Sequence, residues 1–128
     1  MLGNIRDLET DRFASVEGVP LEIGSGRTLW VRRAGGHNRT WALGLAEAAE
    51  ELDDSLDTEA QGYELNKRVA AERLVSRWEG FEDESGKDVE YSAELGRELF
   101  DRAPDVLQEV LTLAMSRDAY QLSEDKKK

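Results

Sequence analysis

The stretch from Trp78 to Ser92 constrains the fold more than any other part of the chain. It reads Trp78-Glu79-Gly80-Phe81-Glu82-Asp83-Glu84-Ser85-Gly86-Lys87-Asp88-Val89-Glu90-Tyr91-Ser92. A helical pattern runs into it, and Trp78 closes that pattern's apolar face. Gly80 is placed to end the helix, because a residue without Cβ takes a left-handed cap at little cost. Asp83-Glu84-Ser85-Gly86 is a turn cluster in which Gly86 is free to adopt positive φ. Val89 and Tyr91 alternate with charged neighbours, the pattern of a short extended piece with one buried face. Ser92 is the expected N-cap of the next helix. The stretch therefore predicts an elbow between two helices, pinned by Trp78, Phe81, Val89 and Tyr91, with Trp78 buried against the last helix.

The remaining elements follow from local patterns. Val19-Pro20-Leu21-Glu22-Ile23 and Arg27-Thr28-Leu29-Trp30-Val31-Arg32-Arg33 flank Gly24-Ser25-Gly26, which predicts a β-hairpin within 16–34. Leu29 and Val31 share one strand face, so Trp30 points the other way. Pro20 confines the first strand to an edge or limits its start. After the loop from Ala34 to Asn38, Trp41, Leu45, Ala48 and Leu52 mark one face of a helix starting near Arg39 or Thr40. Thr58 with Gln61 is a capping-box pattern. It opens a helix whose stripe is Leu65, Val69, Ala71, Leu74, Val75 and Trp78. Leu95, Leu99, Phe100 and Ala103 line a helix from Ser92, and Pro104 suits the first position of the last helix. There Val106, Leu107, Val110, Leu111, Leu113 and Ala114 form a face wide enough to be buried or to meet a partner. The expected class is mainly α, a small four-helix domain with an N-terminal β-hairpin. Its plan is a mobile N-terminus at 1–15, one domain at 16–122 (hairpin 16–34, helical body 39–122), and a polar tail at 123–128.

Composition narrows the functional classes. With 39% hydrophobic and 35% charged residues, a core can form and disorder is not forced. The absence of cysteine removes disulfides, thiolate metal sites and a cysteine nucleophile. No apolar run approaches a membrane span, and Met1 to Asp7 lacks a signal pattern, so a cytosolic protein is expected. The net charge of -11 is uneven: residues 1–40 carry six Arg against five acids, whereas residues 41–125 carry eight bases against twenty-three acids. Such a body repels nucleic acid and anionic membranes and suits partners with basic surfaces, or serves solubility alone.

Catalytic and ligand motifs are missing. His37, the sole histidine, sits in a Gly-containing loop without the companions of a metal site or a Ser–His system. An EF-hand needs glycine at the sixth place of its loop and a carboxylate at the first, but counting back from Gly86 puts Phe81 there. Gly24-Ser25-Gly26 and Gly35-Gly36 fit neither a phosphate loop nor a dinucleotide fingerprint. No carboxylate pair is singled out as acid and base. An enzyme is not expected, and no cofactor or metal is implied. Arg27, Arg32, Arg33 and Arg39 near Trp30 allow a single-strand nucleic-acid reading. Contacts with a partner or with the acidic helices are the simpler account.

Two parts of the chain resemble the tail assembly chaperones of long-tailed bacteriophages. One is Trp78-Glu79-Gly80, then Asp83 and Gly86, then Val89, Tyr91, Ser92 and Glu94. The other is the hairpin with its Leu29-to-Arg33 strand, a Gly-containing loop, Asn38 and an aromatic, Trp41, at the start of the first helix. The likeness covers roughly residues 16–115. It implies a non-catalytic chaperone that binds and solubilises the tape measure protein and helps recruit tail tube subunits. It further implies action in the host cell cytoplasm and absence from the mature virion. Candidate partner-binding residues are Trp30, Trp41, Val106, Val110 and Leu113, and self-association is compatible with this reading. In such chaperones some ribosomes shift frame near the gene's end and add a C-terminal extension. Lys126-Lys127-Lys128 can be encoded by a slippery A-rich run, or are simply a solvated tail. The competing readings are an acidic inhibitor or nucleic-acid mimic of a DNA-binding enzyme, and a small virion adaptor.

Overall fold

Leu29 and Val31, the two apolar positions on one face of the second predicted strand, are both fully buried, and what buries them sets the architecture. A computed structural model describes residues 2–122. Among these, the element order is helix α1 (Arg12–Glu17), strands β1 (Val19–Glu22) and β2 (Thr28–Val31), helices α2 (Thr40–Glu50) and α3 (Thr58–Val69), strand β3 (Val75–Glu79), and helices α4 (Ala93–Arg102) and α5 (Pro104–Ala114). Short 3-10 turns lie at Arg6–Leu8 and Arg117–Tyr120, and a π-helical stretch, Ala70–Leu74, links α3 to β3.

The expected hairpin is present, with Leu21 opposite Leu29 and Val19 opposite Val31. It closes through Gly24, Ser25 and Gly26, all at positive φ. The four-helix class is incorrect. A third antiparallel strand, β3, pairs with β2, giving the order β1-β2-β3. The fold is mixed α/β, with five helices among the described residues, four of them of at least seven residues, around a three-stranded sheet. The sequence pattern misled because Leu74, Val75 and Trp78 fit a helical stripe, and a short apolar run does not distinguish helix from strand by periodicity alone. A two-stranded hairpin is marginal in water, and its open β2 edge needs a partner. The β-branched Val75 and aromatic Trp78 suit that role. A register shift between Trp30 and Val31 lets both Val75 and Trp78 face inward although they are three residues apart.

The π-helical stretch is where the layers meet. It touches α2, α4, α5 and β3. Its small Ala70 and Ala71 are buried, as is Leu74. The wider i→i+5 winding ends the helix, and the chain passes directly into the extended residues that complete the sheet. Leu29 and Val31 of β2, Val75 and Trp78 of β3, Phe100 of α4, and Leu107, Val110 and Ala114 of α5 join it in one core.

The start of the chain, expected as a mobile lead-in at 1–15, contains the first 3-10 turn and most of α1. Ser15 is fully buried, and its Oγ donates to the Asp11 carbonyl (2.7 Å). The Asp11 N–H donates to the Tyr120 carbonyl (2.6 Å), and Thr10 bridges to Gln121, so the two ends of the described chain lie side by side. The third helix begins one residue earlier than its capping pattern suggested: Asp57 is the cap, accepting from the Ala60 N–H (2.8 Å). Ser92 caps α4 as expected, accepting from the Leu95 N–H (3.1 Å), and Pro104 opens α5. The polar tail at 123–128, with its lysine run, lies outside the described residues.

Candidate partner-binding site

The elbow forms, but between a strand and a helix. Gly80 has φ 85° and ends β3 instead of a helix. A Cβ there would lie 2.2 Å from the Gly26 carbonyl oxygen, so the hairpin turn requires glycine at both the angle and the contact. Asp83 organises the turn. Its Oδ1 accepts from the Ser85 N–H (2.8 Å), the Ser85 hydroxyl (2.6 Å) and the Lys87 N–H (3.1 Å), and Gly86 follows at φ 84°. These hydrogen bonds, the Ser85 hydroxyl foremost, hold the Asp83 carboxyl below its usual pKa. The Val89 N–H returns to the Phe81 carbonyl (3.0 Å), which closes the loop.

Aromatic side chains fill the inside of this loop. Trp78 is 8% exposed and stacks on Phe81, and Tyr91 meets its edge. The Trp78 indole Nε1–H donates to the Val89 carbonyl (2.9 Å). The Tyr91 hydroxyl donates to the Ala71 carbonyl at the π-helical stretch, tying the elbow to the hub of the core. Burial pushes the Tyr91 phenol upward in pKa. The motif residues Trp78, Gly80, Asp83, Gly86, Val89, Tyr91 and Ser92 thus belong to one contiguous unit.

Two larger clefts flank α4. One, of about 810 Å³, lies between α3, α4 and the α2–α3 connection. Half of its lining charges answer one another: Lys67 pairs with Glu64 (2.9 Å) and Asp101 (2.7 Å), and Arg68 with Glu51, while Arg68 also reaches Glu72 outside the cleft. Burial opposes the Lys67 charge, yet its two carboxylate partners hold its pKa above the usual lysine value. The other cleft, of about 540 Å³, lies between the elbow and α4. Trp78, Phe81, Val89, Leu95 and Leu99 form its apolar floor.

The five candidate partner residues are not brought together. Trp30 lies half-buried on the outer sheet face under the Arg77 guanidinium, 3.5 Å from the ring centre. Trp41 lies on α2 and, with Leu45, Leu111 and Met115, lines a narrow crevice at the α2–α5 seam. On α5, Val106 and Leu113 are half-buried, whereas Val110 is fully buried in the core and offers no surface. The helical wheel of α5 ranks these positions: Leu107, Val110 and Ala114 lie at the centre of its apolar arc and are buried, whereas Val106, Leu111 and Leu113 lie at its edges, opposite the exposed Asp105, Gln108, Glu109 and Thr112. Exposed apolar residues that sequence reasoning passed over include Leu43 (55%), Met115 (65%) and Phe13 (70%). Isolated apolar residues in polar surroundings carry no sequence signal of exposure.

Asn38, part of the second motif, is buried. Its amide donates to the carbonyls of Arg33 (2.9 Å) and Arg73 (3.2 Å), joining the end of the hairpin to the π-helical stretch. His37 lines a shallow recess with Glu9, Asp11, Arg12 and Leu122. Among the described residues, no group of three or more His, Asp or Glu is arranged to hold a metal, and no helix is long and apolar enough to cross a membrane.

No curated protein and no solved structure matches the chain. The profile of the YdaY prophage protein family matches residues 40–128, from the first turn of α2 onward, and so includes β3, the elbow, the larger cleft and the apolar floor of the smaller one. The match spans well over half of the chain and makes it phage-derived: the protein belongs to the YdaY prophage protein family.

Proposed function

We propose that this chain is a non-catalytic tail assembly chaperone that binds and solubilises a phage tape measure protein and helps recruit tail tube subunits to it. It acts in the host cell cytoplasm and leaves before the virion matures. The phage family supports the setting, and the motif resemblance supports the role. The observation that carries the reading is the apolar seam on an acidic body. Trp41 and Leu45 of α2 and Leu111 and Met115 beside α5 meet over Val69, Ala70 and Leu74, with Met115 exposed at the edge. A tape measure protein is a long helical chain whose apolar stripe must be covered until the tube encloses it. The exposed Met115 and the half-buried Trp41, Leu45 and Leu111 offer an apolar strip against which such a stripe packs through i, i+3 and i+4 side chains. The surrounding negative charge keeps the complex dispersed.

Co-expression with the tape measure candidate encoded nearby is the direct test. The partner's soluble yield rises and the two co-purify; Met115→Glu reduces that yield. Unchanged yield with no complex removes the reading. Binding to a DNA-processing enzyme that DNA competes away replaces it with the nucleic-acid mimic.

A further inference from the structure

We propose that the cleft between the elbow and α4 is a docking site for a protein segment that presents one large apolar side chain between lysines or arginines. This goes beyond the chaperone reading, because it holds for any partner that carries such a segment.

The floor supplies the apolar half of the argument. Phe81, Val89, Leu95 and Leu99 are each half-buried around a space of about 540 Å³. That volume falls within the roughly 300–1,000 Å³ of small-ligand sites. The floor is also held in place: Phe81 is stacked on Trp78, the Trp78 indole is bonded to Val89, and the loop is closed between Val89 and Phe81. A preformed surface loses little side-chain freedom on binding.

The rim supplies the charge. Glu82, Asp83 and Glu84 stand on the loop side and Glu98 on α4. Among the described residues none of these four carboxylates has a cationic partner within ion-pair distance. Arg27 and Arg102 also line the cleft, so its charged lining is four carboxylates against two guanidinium groups. The lining stays acidic by two charges. Anionic ligands are repelled from this cleft. A purely apolar segment would desolvate the rim carboxylates without replacing their water. A segment with flanking cations satisfies both floor and rim.

The test uses the full ¹⁵N-labelled chain and two helical peptides that differ only at the flanks of a central leucine, lysines in one and glutamates in the other. The Trp78 indole N–H reports directly on the floor. The lysine peptide shifts that resonance together with the amides of Phe81 to Glu84 and Leu95 to Leu99, and the glutamate peptide does not. In Glu82→Lys/Glu84→Lys, which alters exposed residues only, the lysine peptide binds at least about fivefold more weakly and the glutamate peptide binds better. Shifts confined to the Trp41–Met115 seam, equal binding of both peptides, or indifference to the charge reversal overturns the proposal. The chaperone reading is judged separately: failure of the tape measure protein to co-purify with the native chain counts against that reading and leaves the peptide result standing.

Discussion

The indole of Trp78 and the phenyl ring of Phe81 lie parallel to within 16°, with centroids 4.0 Å apart, so the last inward residue of β3 and the first residue beyond the Gly80 turn form one stack. Stacking of this kind adds to the burial of both rings. The Trp78 N–H has its own acceptor in Val89, so the side chain is buried without an unmet polar group. Trp78→Ala is expected to cost about 3–5 kcal/mol, as for other large core truncations. Urea denaturation monitored by circular dichroism measures it. Wild-type stability in this variant would mean that the elbow does not depend on the stack.

Glycines 80 and 86 separate contact from backbone strain. Both have φ near 85°, but a Cβ at Gly80 meets the Gly26 carbonyl at 2.2 Å, whereas one at Gly86 meets open space. Gly86→Ala is expected to lose about 1 kcal/mol from the positive φ alone. Gly80→Ala is expected to lose clearly more, because the hairpin turn must also move away. Equal losses in thermal unfolding would show that the Gly26 contact relaxes freely.

Tyr120 makes the C-terminal turn sensitive to alkali. Its side chain is fully buried and donates to the Val31 carbonyl (2.7 Å), and burial raises its pKa above the ordinary phenol value. The folded state therefore holds this proton more tightly than the unfolded state. Its contribution is complete below the unfolded tyrosine value of about 10 and is lost as the pH rises from there toward the folded value. Stability measured from pH 8 to 11 is expected to fall above pH 10. Tyr120→Phe is expected to lower stability at pH 7 by about 1–2 kcal/mol and to flatten that alkaline fall. An unchanged alkaline slope in the variant would assign the effect elsewhere, with Tyr91 the next group to replace.

Asn38 holds two loops through one amide. Removing it in Asn38→Ala leaves the carbonyls of Arg33 and Arg73 without that donor and the Thr40 hydroxyl without its acceptor. The expected loss is about 2–3 kcal/mol, because unmet buried acceptors carry their full desolvation cost. A denaturation midpoint within error of wild type would show that water replaces the amide.

Local chemistry was legible wherever a residue's role is settled by its immediate neighbours. The Gly24–Gly26 turn, the inward Leu29 and Val31, the Ser92 cap, Pro104 at the start of α5 and the Asp83–Gly86 turn all sit where short-range rules put them. Those rules concern one turn or one strand face, and they act within a few residues. The strand at Val75–Glu79 was not legible, because its apolar spacing suits a helix equally well. The choice was made by the exposed edge of β2, some 45 residues earlier in the chain. Pairing with that edge satisfies backbone groups that a continued helix would have left open at the hairpin. The same distance hid the cleft between the elbow and α4. Phe81 and Val89 belong to one loop and Leu95 and Leu99 to the next helix, and only the docking of that helix on the core turns them into a shared floor with a charged rim.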